Sequence, residues 1–142
     1  MTAAEVEYRL RLAQGFLGES RQDITLSRWR SVVDNAQLAV ENATKAVLAL
    51  VAPVGRTHNP APLLRQALDD GRFGVANQVA VERLAECAEL LGFDIHIQTD
   101  YGDEFRSLTP WEIFDAEEAR EALAMAEEAV SLARTLVQAI LP

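Results

Sequence analysis

The sequence is poor in the residues that most often carry chemistry. It has one cysteine, Cys87, and two histidines, His58 and His96. A single cysteine excludes an internal disulfide framework and a thiolate zinc site, and it suits a reducing compartment. Two histidines so far apart in sequence give no reason to expect a metal. There is no H-E-x-x-H, no E-x-x-H pair, no Gly-rich phosphate loop and no G-x-S-x-G elbow, so no cofactor is expected. Aromatics make up only 6% of the chain, which leaves packing to Leu, Val and Ala. No apolar run approaches the roughly 20 residues of a membrane span. The opening MTAAEVEYRLRL is charged from Glu5 onward and lacks the apolar stretch of a secretory leader. The expected location is cytoplasmic, away from membranes.

What remains is an ordinary globular composition. The chain has 142 residues, 49% hydrophobic and 25% charged, which is read as one domain over 1–142. Its net charge of −9 is unevenly spread. Residues 1–72 carry nine basic and eight acidic side chains, whereas residues 73–142 carry four and fourteen. This balance argues against sequence-independent nucleic-acid binding, which draws its affinity from cations on phosphates. Arg9, Arg11, Arg21, Arg28 and Arg30 concentrate in the first third and read as solvated helix faces.

Apolar spacing near 3.6 predicts a helix over 3–20, with a turn at 23–25. A long helix is predicted over 27–51, with Ser27 as its N-cap and Pro53 and Gly55 as its stop. Gln37, Glu41 and Lys45 fall four apart along one line of that helix, and Glu41 precedes Lys45 in the order that suits an i,i+4 ion pair. The line reads as a solvated or dimer-contact ridge. GRTHNPAP at 55–62 is a loop, followed by a short helix over 61–69. A helix over 75–91 is expected to turn Val75, Val79, Leu84, Cys87, Ala88 and Leu91 inward. Phe93–Ile97 alternates in polarity; with no partner strand, it reads as extended chain. Thr109, Pro110 and Glu112 form a capping signal, and Asp115 with Glu118 repeats it before a final helix over 116–140.

The long helix NAQLAVENATKAVLALV and the following GRTHNPAPLLRQAL resemble the HEPN (higher eukaryotes and prokaryotes nucleotide-binding) domain family. The resemblance rests on Ala36, Ala39, Glu41, Lys45 and Ala46, then on the step Thr57-His58-Asn59 with Leu63, Leu64 and Leu68. It continues through the Tyr101 loop and the capped entry from Pro110 to Ala119, so it spans about residues 5–140 in order. It implies an all-α, up-and-down antiparallel bundle of about five helices, commonly a homodimer. It also implies a candidate partner, a minimal nucleotidyltransferase in a toxin–antitoxin type pair. Several branches are metal-independent ribonucleases with an Arg-x4–6-His motif. No arginine stands at the required places before His58 or His96, and Asp100 replaces the arginine that relatives often carry before the tyrosine.

Three functions follow. The first is a non-catalytic module that dimerises and binds a partner protein or a nucleotide or RNA ligand. Its candidate ligand residues are Arg56, His58, Asn59 and Tyr101. Arg56 offers a fork of donors suited to phosphate, and His58 can donate, accept or titrate near neutral pH. Asn59 is held extended by Pro60. The second is an RNA-cleaving enzyme with a displaced site, His58 acting with Arg56 or Arg72. The third is a purely structural helical protein. The homodimer is also expected from the long helix itself, because Trp29, Val32, Val33, Leu38, Ala39 and Val40 do not all fit one inward face.

Overall fold

Leu and Ala at helical spacing build a set of α-helices around one apolar core. The computed structural model describes residues 3–142; Met1 and Thr2 of the predicted domain lie outside the described residues. The helices are α1 (Ala3–Thr25), α2 (Trp29–Ala49), α3 (Ala61–Asp69), α4 (Gln78–Leu90), α5 (Phe93–Tyr101), the single turn α6 (Pro110–Ile113) and α7 (Ala116–Ile140). No strand occurs among the described residues; the one β-bridge, Asp103 to Leu108, closes a small turn. The expected all-α bundle is the architecture found.

α1 and α2 are joined through a tight turn in which Ser27 takes a left-handed backbone conformation, φ 55°. Helices with so short a link lie antiparallel. Two polar contacts fix the pair: Ser20 donates its hydroxyl to the Val32 carbonyl at 2.9 Å, and Asn35 donates to Asp23 at 2.8 Å. α7 packs along both α1 and α2, α4 lies against α3 and α7, and α5 lies across α2. From Ala39 to Leu50 every residue of α2 and its C-cap is buried, so the chain's other helices enclose this helix on all sides.

That enclosure corrects one argument. Val32, Val33, Ala39 and Val40 are buried within the chain itself, and Trp29 and Leu38 are partly buried. The wide apolar surface of α2 therefore leaves no remainder that would require a second copy. Other boundaries also move. α1 runs on through the predicted turn to Thr25. Arg28, not Ser27, holds the N-cap position of α2 and makes no side-chain cap. The predicted 75–91 helix divides into a 3-10 turn at Val75–Asn77 and α4. Val75 and Val79, expected inward, are 89% and 79% exposed; only Leu84, Cys87, Ala88 and Leu91 of that set reach the core.

The largest change is at 93–101, which is helical rather than extended. In a helix Ile95 and Thr99 fall one turn apart on the same face, and both turn toward α2. Tertiary contact, not the local alternation, decides the conformation. Gly102 lets α5 end under the next turn: a Cβ there would lie 2.1 Å from the Leu108 carbonyl oxygen, and its φ is +70°. The predicted caps are present. Glu112 accepts from the Thr109 backbone N–H at 3.1 Å, and Asp115 accepts from Glu118 N–H at 2.9 Å.

Three arginine–carboxylate forks tie helices together on the outside. Arg21 reaches Glu127 from α1 to α7, Arg65 reaches Glu89 from α3 to α4, and Arg83 reaches Glu128 from α4 to α7. Each guanidinium holds its carboxyl below the usual carboxylate range, through direct hydrogen bonds. A carboxyl lowered in the folded state contributes stability above its unfolded value and loses it as the pH falls through the folded value. The melting temperature should therefore hold level at neutral pH and drop below about pH 4.3. The triple variant Glu89→Gln, Glu127→Gln, Glu128→Gln should flatten that drop, as read by thermal melts across pH at low salt.

Candidate functional site

Gln37, Glu41 and Lys45 were expected on a solvated or dimer-contact ridge of α2. The structure corrects this: they are 1%, 4% and 5% exposed. The polar line is roofed by the loop after α2 and by α5, whose histidines come down onto it. Lys45, the chain's only lysine, donates to Glu41 Oε2 at 3.1 Å. His58 Nδ1 lies 3.3 Å from the same oxygen, and His96 Nδ1 lies 3.2 Å from Gln37 Oε1. Glu41 Oε1 is buried without a hydrogen-bond partner.

The two imidazoles, 38 positions apart in sequence, stack on each other with centroids 4.8 Å apart and planes 14° apart. Phe93 continues the stack beyond His96, its centroid 6.4 Å away. A carboxylate or amide oxygen accepts, so each histidine donates its Nδ1–H inward. In the neutral ring that leaves Nε2 as an acceptor. His58 remains open, its side chain 63% exposed.

α5 is held over α2 by a second polar cluster. Arg30 donates from Nε to the Thr99 carbonyl at 2.6 Å and pairs with Asp100 at 3.3 Å, while its guanidinium lies 5.8 Å from the Trp111 ring centre. Thr99, fully buried, bonds Asp34 at 3.2 Å. Asp100, which adds no cation of its own, pairs with Arg30 of α2.

The predicted ligand residues separate into two places. Arg56, His58 and Asn59 share the exposed loop, and Arg56 has no ion-pair partner among the described residues. The Asn59 backbone N–H is taken by Thr57 Oγ1 at 3.0 Å, and the residue is exposed. Tyr101 sits at the far end of α5, 63% exposed, without a ring or hydrogen-bond contact to that loop. The α5 residue that does meet the loop is His96. Sequence reasoning missed it, along with Gln37, Glu41 and Lys45 as site members. The available signal was the i,i+4,i+8 line itself, since three polar side chains in an otherwise apolar helix need partners if the helix is enclosed. The crevice beside His58, between α2, the loop and the end of α4, is too narrow to admit even a water molecule. Small-molecule pockets begin at roughly 300 Å³, so a nucleotide-sized ligand would rest outside it, on the exposed loop that carries Arg56, His58 and Asn59. Arg72 is committed elsewhere, donating to the Val51 carbonyl at 2.8 Å. No group of side chains suited to a metal ion occurs among the described residues, and none of their helices is long and apolar enough to cross a membrane.

Residues 6–136 match the family model of the HEPN domain. Among solved structures, the chain is similar to the crystal structure of the protein TT1696 from Thermus thermophilus. The TM-score is 0.68 at 21% identity, over 92% of this chain and 97% of that one. At that identity the likeness is one of fold. No curated protein gives a significant match.

The buried ion pair makes a direct prediction. Glu41→Ala leaves Lys45 buried without its carboxylate and should destabilise the fold by about 3–5 kcal/mol. The double variant Glu41→Leu, Lys45→Met removes both charges and should recover most of that loss, as measured by urea unfolding.

Proposed function

The chain belongs to the HEPN domain family, and from that premise we propose that it is a non-catalytic binding module. Its ligand is a nucleotide or a short RNA, taken on the rim of the 55–59 loop. The observation that carries this reading is the stacked pair His58 and His96 beside an uncommitted arginine. The pair offers a flat aromatic edge and two acceptor nitrogens, and Arg56 offers the cation a phosphate needs. The amide of Asn59, an exposed residue of the same loop, adds a group that can read a base or sugar edge. HEPN domains commonly dimerise, and this module acts as a homodimer. Its protein partner is a nucleotidyltransferase of the minimal kind, as in toxin–antitoxin pairs. Tyr101, away from the rim, belongs to a partner-facing surface rather than to the ligand site.

The absence of Arg-x4–6-His supports a binding role over cleavage: Val51, Ala52 and Pro53 precede His58 at that distance, and Glu89, Leu90 and Leu91 precede His96. One observation favours a second reading. Two imidazoles 4.8 Å apart can act as acid and base in metal-independent RNA cleavage. Arg56 is better placed than Arg72 to steady the phosphate, because Arg72 holds the Val51 carbonyl.

Titration calorimetry with mononucleotides and short single-stranded RNA tests the binding role. Arg56→Ala and His58→Ala are expected to weaken binding about tenfold or more, and Arg56→Ala should leave the melting temperature unchanged. Unaltered affinity in both variants would remove the loop from the site. Incubation of the wild type with RNA in EDTA tests the second reading. Cleavage that disappears in both His58→Ala and His96→Ala would establish it, and intact RNA throughout would end it.

A further inference from the structure

α1 turns one face to the core and leaves the opposite one bare. Val6, Ala13, Leu17 and Ser20 are buried, and at about 100° per residue they define the inward side. Gly15 points the other way. Around it lies a shallow apolar groove formed by α1 alone, lined by Tyr8, Leu12 and Phe16 together with Arg11 and Glu19. Arg11 and Glu19 are exposed, and neither has an ion-pair partner among the described residues.

We propose that this groove is the surface on which a second copy of the chain docks, with the two α1 helices antiparallel about a two-fold axis through Gly15. The inference deepens the homodimer reading above and rests on it. A two-fold interface requires a self-complementary surface, and this face of α1 is one. Gly15 is the midpoint between Arg11 and Glu19, four residues from each. An axis at Gly15 therefore sets Arg11 of each copy against Glu19 of the other and forms two ion pairs. The same operation sets Leu12 against Gly18 and Tyr8 against Gln22. Each larger side chain thus meets a smaller or more flexible one.

The glycines fit the same geometry. Gly15 and Gly18 lie inside a helix, where each costs about 1 kcal/mol relative to alanine. Within the chain, a Cβ at either would meet nothing within 4 Å, so no intramolecular contact accounts for them. At a crossing point, the missing Cβ atoms let two backbones come close. The other exposed apolar stripe, Phe93, Ile97 and Tyr101 on α5, lies among Asp94, Asp100, Asp103 and Glu104. Two copies meeting there would bring like charges together.

Analytical ultracentrifugation of the full chain across a concentration series tests this. The wild type is expected to reach twice its 15.6 kDa mass. Arg11→Glu and Glu19→Arg, each at an exposed position, should weaken the dimer about tenfold or more, and the exchange Arg11→Glu with Glu19→Arg in one chain should restore it. Gly15→Cys gives a readout independent of charge: a mild oxidant should link the two copies covalently. A wild type that stays monomeric overturns both this interface and the homodimer reading. A dimer that ignores both charge reversals and forms no cross-link at position 15 overturns the interface and leaves the homodimer standing. Loss of the dimer in the single variants without recovery in the exchange overturns the paired geometry.

Discussion

The second half of α2 is enclosed on every side, and it still carries Glu41 and Lys45. A carboxylate and an ammonium so placed have no water to turn to, and each costs several kcal/mol to desolvate unless the two meet. Their 3.1 Å contact meets that need only in part, because Oε2 takes both Lys45 and His58 while Oε1 takes nothing. The position of the 55–59 loop follows from this. His58 meets the Glu41 carboxylate and holds the loop over α2. Gln37, one turn earlier, engages His96 in the same way and seats α5 on α2. The stacked imidazoles are thus a consequence of two polar side chains on a buried helix.

The same enclosure explains why the site is shallow. α2 supplies the floor, and its neighbours are packed too closely to leave a deep pocket. The two histidines stand above that floor, on a loop and on a nine-residue helix held by Arg30, Asp34 and Thr99. Loops and short helices open at lower free energy than the core they rest on. A ligand that touches His58 and Arg56 therefore acts on the most yielding part of the molecule. The arginine–glutamate forks lie elsewhere, between α1, α3, α4 and α7, and brace the frame without touching the site.

Much of this was written in local pattern. The periodic apolar positions of α1, α2 and α7, the capping signals at Thr109 and Asp115, and the Pro53–Gly55 stop mark out the bundle. They do so because helix propensity, caps and breakers act within a few residues. The family resemblance rested on the order of several motifs, from Ala36 to Ala46 through Thr57-His58-Asn59 to the capped entry at Pro110–Ala119. The boundaries that moved did so where tertiary packing outweighs local preference. Val75 and Val79 have the right spacing for a core face but lie at a helix start that no other element covers. Phe93–Ile97 has the alternation of a strand, yet Thr99 and His96 find their partners on α2 only if the segment coils.

By itself the sequence determined that the chain is helical, where its long helices run, that its second half is acidic and that its family is HEPN. Each of these depends on residue type and near-neighbour spacing. Only the tertiary structure decided that the polar line of α2 is buried, that His58 and His96 stack on each other and that Tyr101 lies away from them. Those outcomes depend on which distant segments cover α2. A side chain on a helix face looks the same in sequence whether water or another helix lies above it, and burial alone turns an ordinary i,i+4 pair into a constraint that other groups must satisfy.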